Sequence, residues 1–62
     1  MNKIIKILME RDGLTYDEAS DEFKYAQSLI HEAVASGEDW DEVEEIMYSE
    51  LGLEMDYIFE IL

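Results

Sequence analysis

The side chains in this sequence that could take part in chemistry are almost all carboxylates. Seventeen Asp and Glu residues stand against four Lys and Arg residues and one histidine, His31, and the chain has no cysteine. Lys24 is the last basic residue, so the eleven carboxylates between positions 25 and 62 have no Lys or Arg among them. Carboxylates act as general acids and bases, as ligands of hard cations, or as partners of Arg and Lys on another protein.

Neither acid–base catalysis nor metal binding has a supporting pattern. A catalytic histidine needs an acid–base partner in a pocket, whereas the helical neighbours of His31 are Gln27, Ser28 and Ala35. The acidic stretch DWDEVEE lacks the central glycine of an EF-hand loop, and the chain lacks the paired Glu-x-x-His motifs of a di-iron bundle. We therefore expect a surface histidine and a protein that is not an enzyme, with no metal and no cofactor.

Recognition of a basic partner is the chemistry that the pattern favours. The helix dipole stabilises carboxylates in a first turn, but Glu45 and Glu50 fall farther along their helix. The net charge of −13 also exceeds in magnitude the value of about 2–8 that keeps a small domain soluble. The candidate partner-binding residues are the acidic Glu38, Asp39, Asp41, Glu42, Glu44, Glu45 and Glu50, with Trp40 and Tyr48 as aromatic anchors.

Two alternatives stay open at these positions. The carboxylates could serve solubility alone, and Trp40 could cover the end of the core as a first-turn residue. If the surface is recognised, its geometry indicates the partner: carboxylates three or four residues apart on a helix lie about 5–6 Å from each other, a spacing comparable to that of DNA phosphates. The expected partner is thus a basic protein surface, such as that of a nucleic-acid-binding protein. Direct binding to nucleic acid or to an anionic membrane is disfavoured by the charge.

Three glycines, at positions 13, 37 and 52, divide the chain into four predicted helices. The first runs from a cap at Asn2 to Asp12, and the second begins with a capping box of Thr15 and Glu18 and continues to about Ser36. The third is predicted over residues 39–52, with its first residue as the cap. The fourth covers residues 54–62 and is apolar on most sides, so we expect it to be buried widely.

The apolar positions predict the packing. In the second helix Ala19, Ala26 and Ala33 recur every seven residues and Phe23 and Ile30 interleave with them, which is the spacing of a helix–helix seam. A chain of 62 residues has a marginal core, and self-association is one way to supplement it. We therefore predict a homodimer, and the predicted interface consists of Phe23, Ala26, Ile30, Met55, Ile58, Phe59 and Leu62.

These patterns predict an all-α fold, a compact bundle of four helices with one long central helix, in a single domain over residues 1–62. The absence of cysteine is compatible with the cytosol. The basic, apolar start MNKIIKILMERD lacks the small-residue cleavage site of a signal peptide, and no stretch reaches the about 20 apolar residues of a membrane span. We expect a cytoplasmic protein.

The segments MERDGLTYDEA, GEDWDEVEEIM and LGLEMDYIFEIL give the chain a resemblance to short acidic helical proteins of phages and mobile elements of Gram-positive bacteria. Some small acidic phage proteins of that kind inhibit host defence nucleases, restriction systems or CRISPR effectors, in some cases as DNA mimics. The resemblance implies such a role here: a phage-encoded inhibitor of a bacterial defence system that occludes a basic or nucleic-acid-binding site. The alternative is a structural or regulatory interaction module that acts through its apolar C-terminal helix.

Overall fold

The computed structural model describes residues 2–62, of which 79% are helical, and no strand occurs in that range. The all-α prediction is therefore confirmed. In chain order the elements are α1 (Lys3–Asp12), α2 (Tyr16–Ala35), α3 (Trp40–Ile46), a π-helical turn that continues α3 (Met47–Leu51), and a C-terminal 3-10 helix (Met55–Glu60).

The predicted caps account for where α1 and α2 begin. The side chain of Asn2 accepts hydrogen bonds from the backbone N–H groups of Ile4 and Ile5. At the start of α2 the Thr15 hydroxyl accepts from the Glu18 N–H, and the Glu18 carboxylate accepts from the Thr15 N–H, which completes the capping box. Gly13 ends α1 with a φ of 70°, a left-handed conformation that glycine adopts without steric cost.

One apolar cluster holds the helices together. α2 packs against α1 and against α3 with its π turn, while the 3-10 helix packs mainly against α1. The chain is compact, with extents of 33 × 17 × 17 Å, but the long helix is not clearly central. The side chains completely or almost completely removed from solvent are Ile4, Leu8, Ala19, Ala26, Ile30, Ala33, Val43, Met47 and Leu51.

The π turn in the third helix was not predicted, and the positions of the buried residues explain it. Val43, Met47 and Leu51 lie four residues apart and are all buried. In a regular α-helix each residue advances by about 100°, so Leu51 would stand about 80° away from Val43, and Glu50 only about 20° away. A π turn holds more residues than an α turn. The extra residue rotates Leu51, in place of Glu50, onto the buried face.

The C-terminal segment differs from its prediction as an amphipathic α-helix buried on most sides. It is a 3-10 helix, in which residues three apart eclipse each other. Ile58 and Ile61 are therefore together in the core, whereas Phe59 is 85% exposed and Leu62 54% exposed. The expectation of wide burial was wrong because it assumed 3.6 residues per turn.

Three side chains from the first two helices bind the carbonyl groups of this segment. Asn2 Nδ2 donates to the carbonyl oxygen of Glu60 at 3.3 Å. Gln27 Nε2 donates to the carbonyl oxygen of Ile61 at 3.2 Å, and His31 Nε2 lies 3.1 Å from the same oxygen. The C-terminus is thus fixed by polar contacts as well as by the burial of two isoleucines.

The predicted dimer-interface residues fall into two groups. Phe23, Ala26, Ile30 and Ile58 are buried by the helices of their own chain, and Met55 is half-buried. Phe59 and Leu62 are the two that remain exposed. In this conformation Phe59 and Leu62 are the predicted interface residues that could make large contacts with a second copy of the chain. The homodimer itself stays a prediction.

Candidate functional site: an acidic helical surface

The predicted partner-binding residues lie on α3 and on the turns at its two ends. α2 ends at Ala35, and the turn after it contains Gly37, which has a φ of 75°. Glu38 and Asp39 follow and directly precede α3. Asp39 occupies the N-cap position as predicted, but its side chain accepts no cap hydrogen bond. Its side chain is exposed, like those of Asp41, Glu42, Glu44 and Glu45.

Two aromatic side chains lie on the same helix. Trp40 is 58% exposed and Tyr48 is 76% exposed. More than half of the Trp40 side chain is thus in solvent, whereas Val43, Met47 and Leu51 are buried. Residues four apart on a helix are neighbours, so Trp40, Glu44 and Tyr48 form one row along the outer face of α3.

We define the acidic surface as the side chains of residues 38–42, 44, 45 and 48. Glu50 was also predicted to bind the partner. It lies on the π turn and is half-buried, so we do not include it in this surface. Next to the row an open groove separates α3 from the C-terminal segment. Five of the eight residues that line it are carboxylates; the lining consists of Asp41, Glu44, Glu45, Tyr48, Leu53, Glu54, Met55 and Asp56.

Within residues 2–62, no Lys, Arg or His side chain forms an ion pair with a carboxylate of the acidic surface. Across residues 2–62 the one ion pair joins Arg11 to its neighbour Asp12, with Nε 2.8 Å from Oδ1. In the same range no three acidic or histidine side chains come close enough to hold a metal ion.

The contact between Arg11 and the end of the third helix was missed by the sequence analysis. Arg11 Nη2 donates to the carbonyl oxygen of Leu51 at 2.8 Å, and Nη1 donates to that of Gly52 at 3.3 Å. The same guanidinium binds the Asp12 carboxylate through Nε and Nη2. No spacing in the sequence indicates this contact, because the partners lie forty residues apart.

The hydrogen bonds between the two side chains shift both of their pKa values. They lower the pKa of the Asp12 carboxyl and raise the pKa of the Arg11 guanidinium, because each charged form is stabilised by the other. A cation also suits the C-terminal end of a helix, where carbonyl groups lack internal partners. Arg11 therefore joins α1 to the helix that carries the acidic surface.

His31 lies outside the acidic surface. It is exposed on α2, and its Nε2 is engaged with the carbonyl of Ile61. No carboxylate or nucleophile is hydrogen-bonded to its ring in the described part of the chain. Its observed role is to fix the C-terminal segment.

Comparison with known proteins adds no assignment. Neither protein families, nor curated proteins, nor solved structures give a significant match to this chain. Within residues 2–62 no helix is both long enough and apolar enough to cross a membrane.

Proposed function

We propose that this protein is a non-enzymatic binding protein that places its acidic surface on a basic site of another protein. The observation that carries the proposal is the row of Trp40, Glu44 and Tyr48, in which two largely exposed aromatic rings lie among unneutralised carboxylates. Arginine binds carboxylates through charge-assisted hydrogen bonds and stacks on aromatic rings. The same surface elements would also accelerate association with a basic partner.

The partner that we propose is a nucleic-acid-binding protein of a bacterial defence system, and the protein would act on it in the host cytoplasm as a phage-encoded inhibitor. A groove that binds nucleic acid presents Arg and Lys at the spacing of phosphates, and helical carboxylates lie at a comparable spacing. The inhibitor would occlude that groove as a DNA mimic. The resemblance to small acidic phage proteins supports this choice of partner.

A capture experiment from bacterial lysate tests the proposal. The immobilised protein should retain DNA-binding proteins at low salt, release them at high salt, and lose them to added duplex DNA. A variant that neutralises three groove carboxylates should retain far less. This variant combines Asp41→Asn, Glu44→Gln and Glu45→Gln.

The matched control neutralises three carboxylates elsewhere and so has the same net charge. All three are exposed, one on α1 and two on α2. The control combines Glu10→Gln, Asp21→Asn and Glu32→Gln. If both variants lose the retained proteins equally, net charge and not the acidic surface causes retention, and the proposal fails. It fails also if duplex DNA does not compete.

A second candidate function rests on the exposed apolar side chains of the C-terminal segment. Phe59 and Leu62 are three residues apart and both lie mostly in solvent, next to the buried Ile58 and Ile61. An interaction module, or the homodimer, would bind through this pair. In that case binding resists high salt and is lost in Phe59→Ala. Light scattering that gives 7.3 kDa at high concentration would exclude the homodimer.

A further inference from the structure

One buried position in the third helix can be filled by either of two consecutive side chains, Glu50 or Leu51. It is the position that a regular α-helix reaches seven residues after Val43. Leu51 occupies it and is almost fully buried, while Glu50 stands beside it, half-buried. Without the π turn, the α-helical geometry of α3 would continue and Glu50 would take the position, about 20° from Val43.

The π turn has a structural cost that the burial of Leu51 must offset. π helices are rare, and helix ends leave carbonyl groups without partners. Here Gly52 N–H donates to the carbonyl of Met47, five residues earlier, as well as to that of Tyr48, and Leu53 N–H donates to that of Met47 at 3.3 Å. Arg11 donates to the carbonyls of Leu51 and Gly52. The chain thus supplies partners that hold the turn in its wider form.

The charge of Glu50 disfavours the burial of residue 50. Burying an unpaired carboxylate is far more costly than burying a leucine, and Glu50 has no ion-pair partner within the described residues. We propose that α3 has two registers and that the charge at position 50 selects the π register. When that charge is removed and the side chain is apolar, Met47–Leu51 becomes α-helical and residue 50 replaces Leu51 in the core.

The change of register alters the surface next to the groove. In the α register Leu51 stands about 80° from the line of Val43, at the margin of the buried face, and the carbonyls that bind Arg11 move. The half-buried carboxylate beside the acidic surface would be absent and Leu51 would lie nearer to that surface. The third helix is in this sense a conformational switch governed by one side chain, whatever partner the acidic surface binds.

NMR spectroscopy of Glu50→Leu tests the two registers. We expect its NOEs to show α-helical spacing from residue 40 through residue 51. The new leucine methyls should give NOEs to α2 that the Leu51 methyls give in the unsubstituted protein. Exchange of the Arg11 Nη–H protons, which donate to the Leu51 and Gly52 carbonyls, should accelerate about tenfold, because a hydrogen bond to a charged group is worth at least that factor.

The control is Glu45→Gln, which removes one charge from an exposed position on the same helix and should leave the π turn unchanged. A Glu50→Leu protein that keeps π spacing with Leu51 in the core would overturn the proposal. If that variant does not fold, deletion of the exposed Ser49 decides the matter. The deletion puts Leu51 seven residues after Val43, so a regular α-helix is expected, and persistence of the π turn would equally overturn the proposal.

Discussion

The ring of His31 lies with its Nε2 3.1 Å from the carbonyl oxygen of Ile61, thirty residues later in the chain. Gln27, one helical turn earlier, donates to the same oxygen at 3.2 Å. One carbonyl near the C-terminus therefore has two side-chain donors from α2. Because the two donors share an acceptor, each should compensate in part for the loss of the other.

A double-mutant cycle measures this compensation. His31→Ala and Gln27→Ala should each lower the free energy of unfolding by about 0.5–1.5 kcal/mol, the usual net value of a hydrogen bond. The double variant should lose more than the sum, because only then is the Ile61 carbonyl without a protein donor. Urea denaturation followed by circular dichroism gives the three values. Strict additivity, or no effect beyond that of the exposed control Ser28→Ala, would contradict the prediction.

Two helix N-termini of the chain offer a comparison of caps within one protein. The Thr15 hydroxyl accepts from the Glu18 N–H, whereas the Asp39 carboxylate accepts no cap hydrogen bond. Thr15→Ala should therefore cost about 1 kcal/mol of stability, the typical value for a cap. Asp39→Ala should cost clearly less. Thermal unfolding of both variants checks the order, and a larger loss for Asp39→Ala would show that this carboxylate does cap α3.

The sequence predicted most of the fold because local chemistry determines it. The glycines at 13, 37 and 52 mark the helix ends, and each has a positive φ in the structure. The capping box at Thr15 marks the start of α2 correctly. The stripe of Ala19, Phe23 and Ile30 predicted buried residues, and all three are buried. Phe23 and Ile30 were also assigned to a dimer interface, whereas the helices of their own chain bury them.

The errors share one physical origin, which is the assumption of 3.6 residues per turn throughout. The third helix widens so that Leu51 rather than Glu50 is buried, and the C-terminal helix tightens so that Ile58 and Ile61 coincide. Both departures are decided by tertiary burial, which no local pattern reveals. The exposure of the acidic surface follows from residue type, but the groove formed with Leu53 and Met55 required the structure.

The ion pair of Arg11 and Asp12 has a pH dependence with a definite sign. Its hydrogen bonds lower the pKa of the Asp12 carboxyl in the folded state below the ordinary carboxyl value. A group with a lowered folded pKa contributes stability above its unfolded pKa, and the contribution is lost as the pH falls through the folded pKa. Arg11→Met should therefore raise the Asp12 pKa, measured by NMR titration of the carboxyl carbon. Lys24→Met, a basic residue removed elsewhere, should not move it.

Neighbouring side chains of the C-terminal segment should differ sharply in their contribution to stability. Ile58 is 6% exposed and Phe59 is 85% exposed. Ile58→Ala should lower the free energy of unfolding by about 2–5 kcal/mol, the range for truncation of a buried aliphatic side chain. Phe59→Ala should change it by about 0.5 kcal/mol or less. Denaturation of both variants at low protein concentration gives the comparison. A large, concentration-dependent loss for Phe59→Ala would instead indicate that Phe59 is buried between two copies of the chain.

The stability of the protein should rise with salt. The net charge is −13, and residues 25–62 contain eleven carboxylates with no Lys or Arg, so folding brings like charges together. Salt screens this repulsion, because the Debye length falls from about 30 Å at 0.01 M to about 3 Å at 1 M. We therefore expect the Tm to increase over that range of KCl.

The size of the increase should depend on where the charges lie. Neutralising Asp41, Glu44 and Glu45 should raise the Tm at low salt and flatten its salt dependence, because these carboxylates are close together on one helix. Neutralising Glu10, Asp21 and Glu32 should do so less, since those positions are spread over α1 and α2. Equal effects of the two triple variants would mean that repulsion is a property of the total charge. A Tm that falls with KCl would mean instead that attractive pairs dominate the electrostatics of the fold.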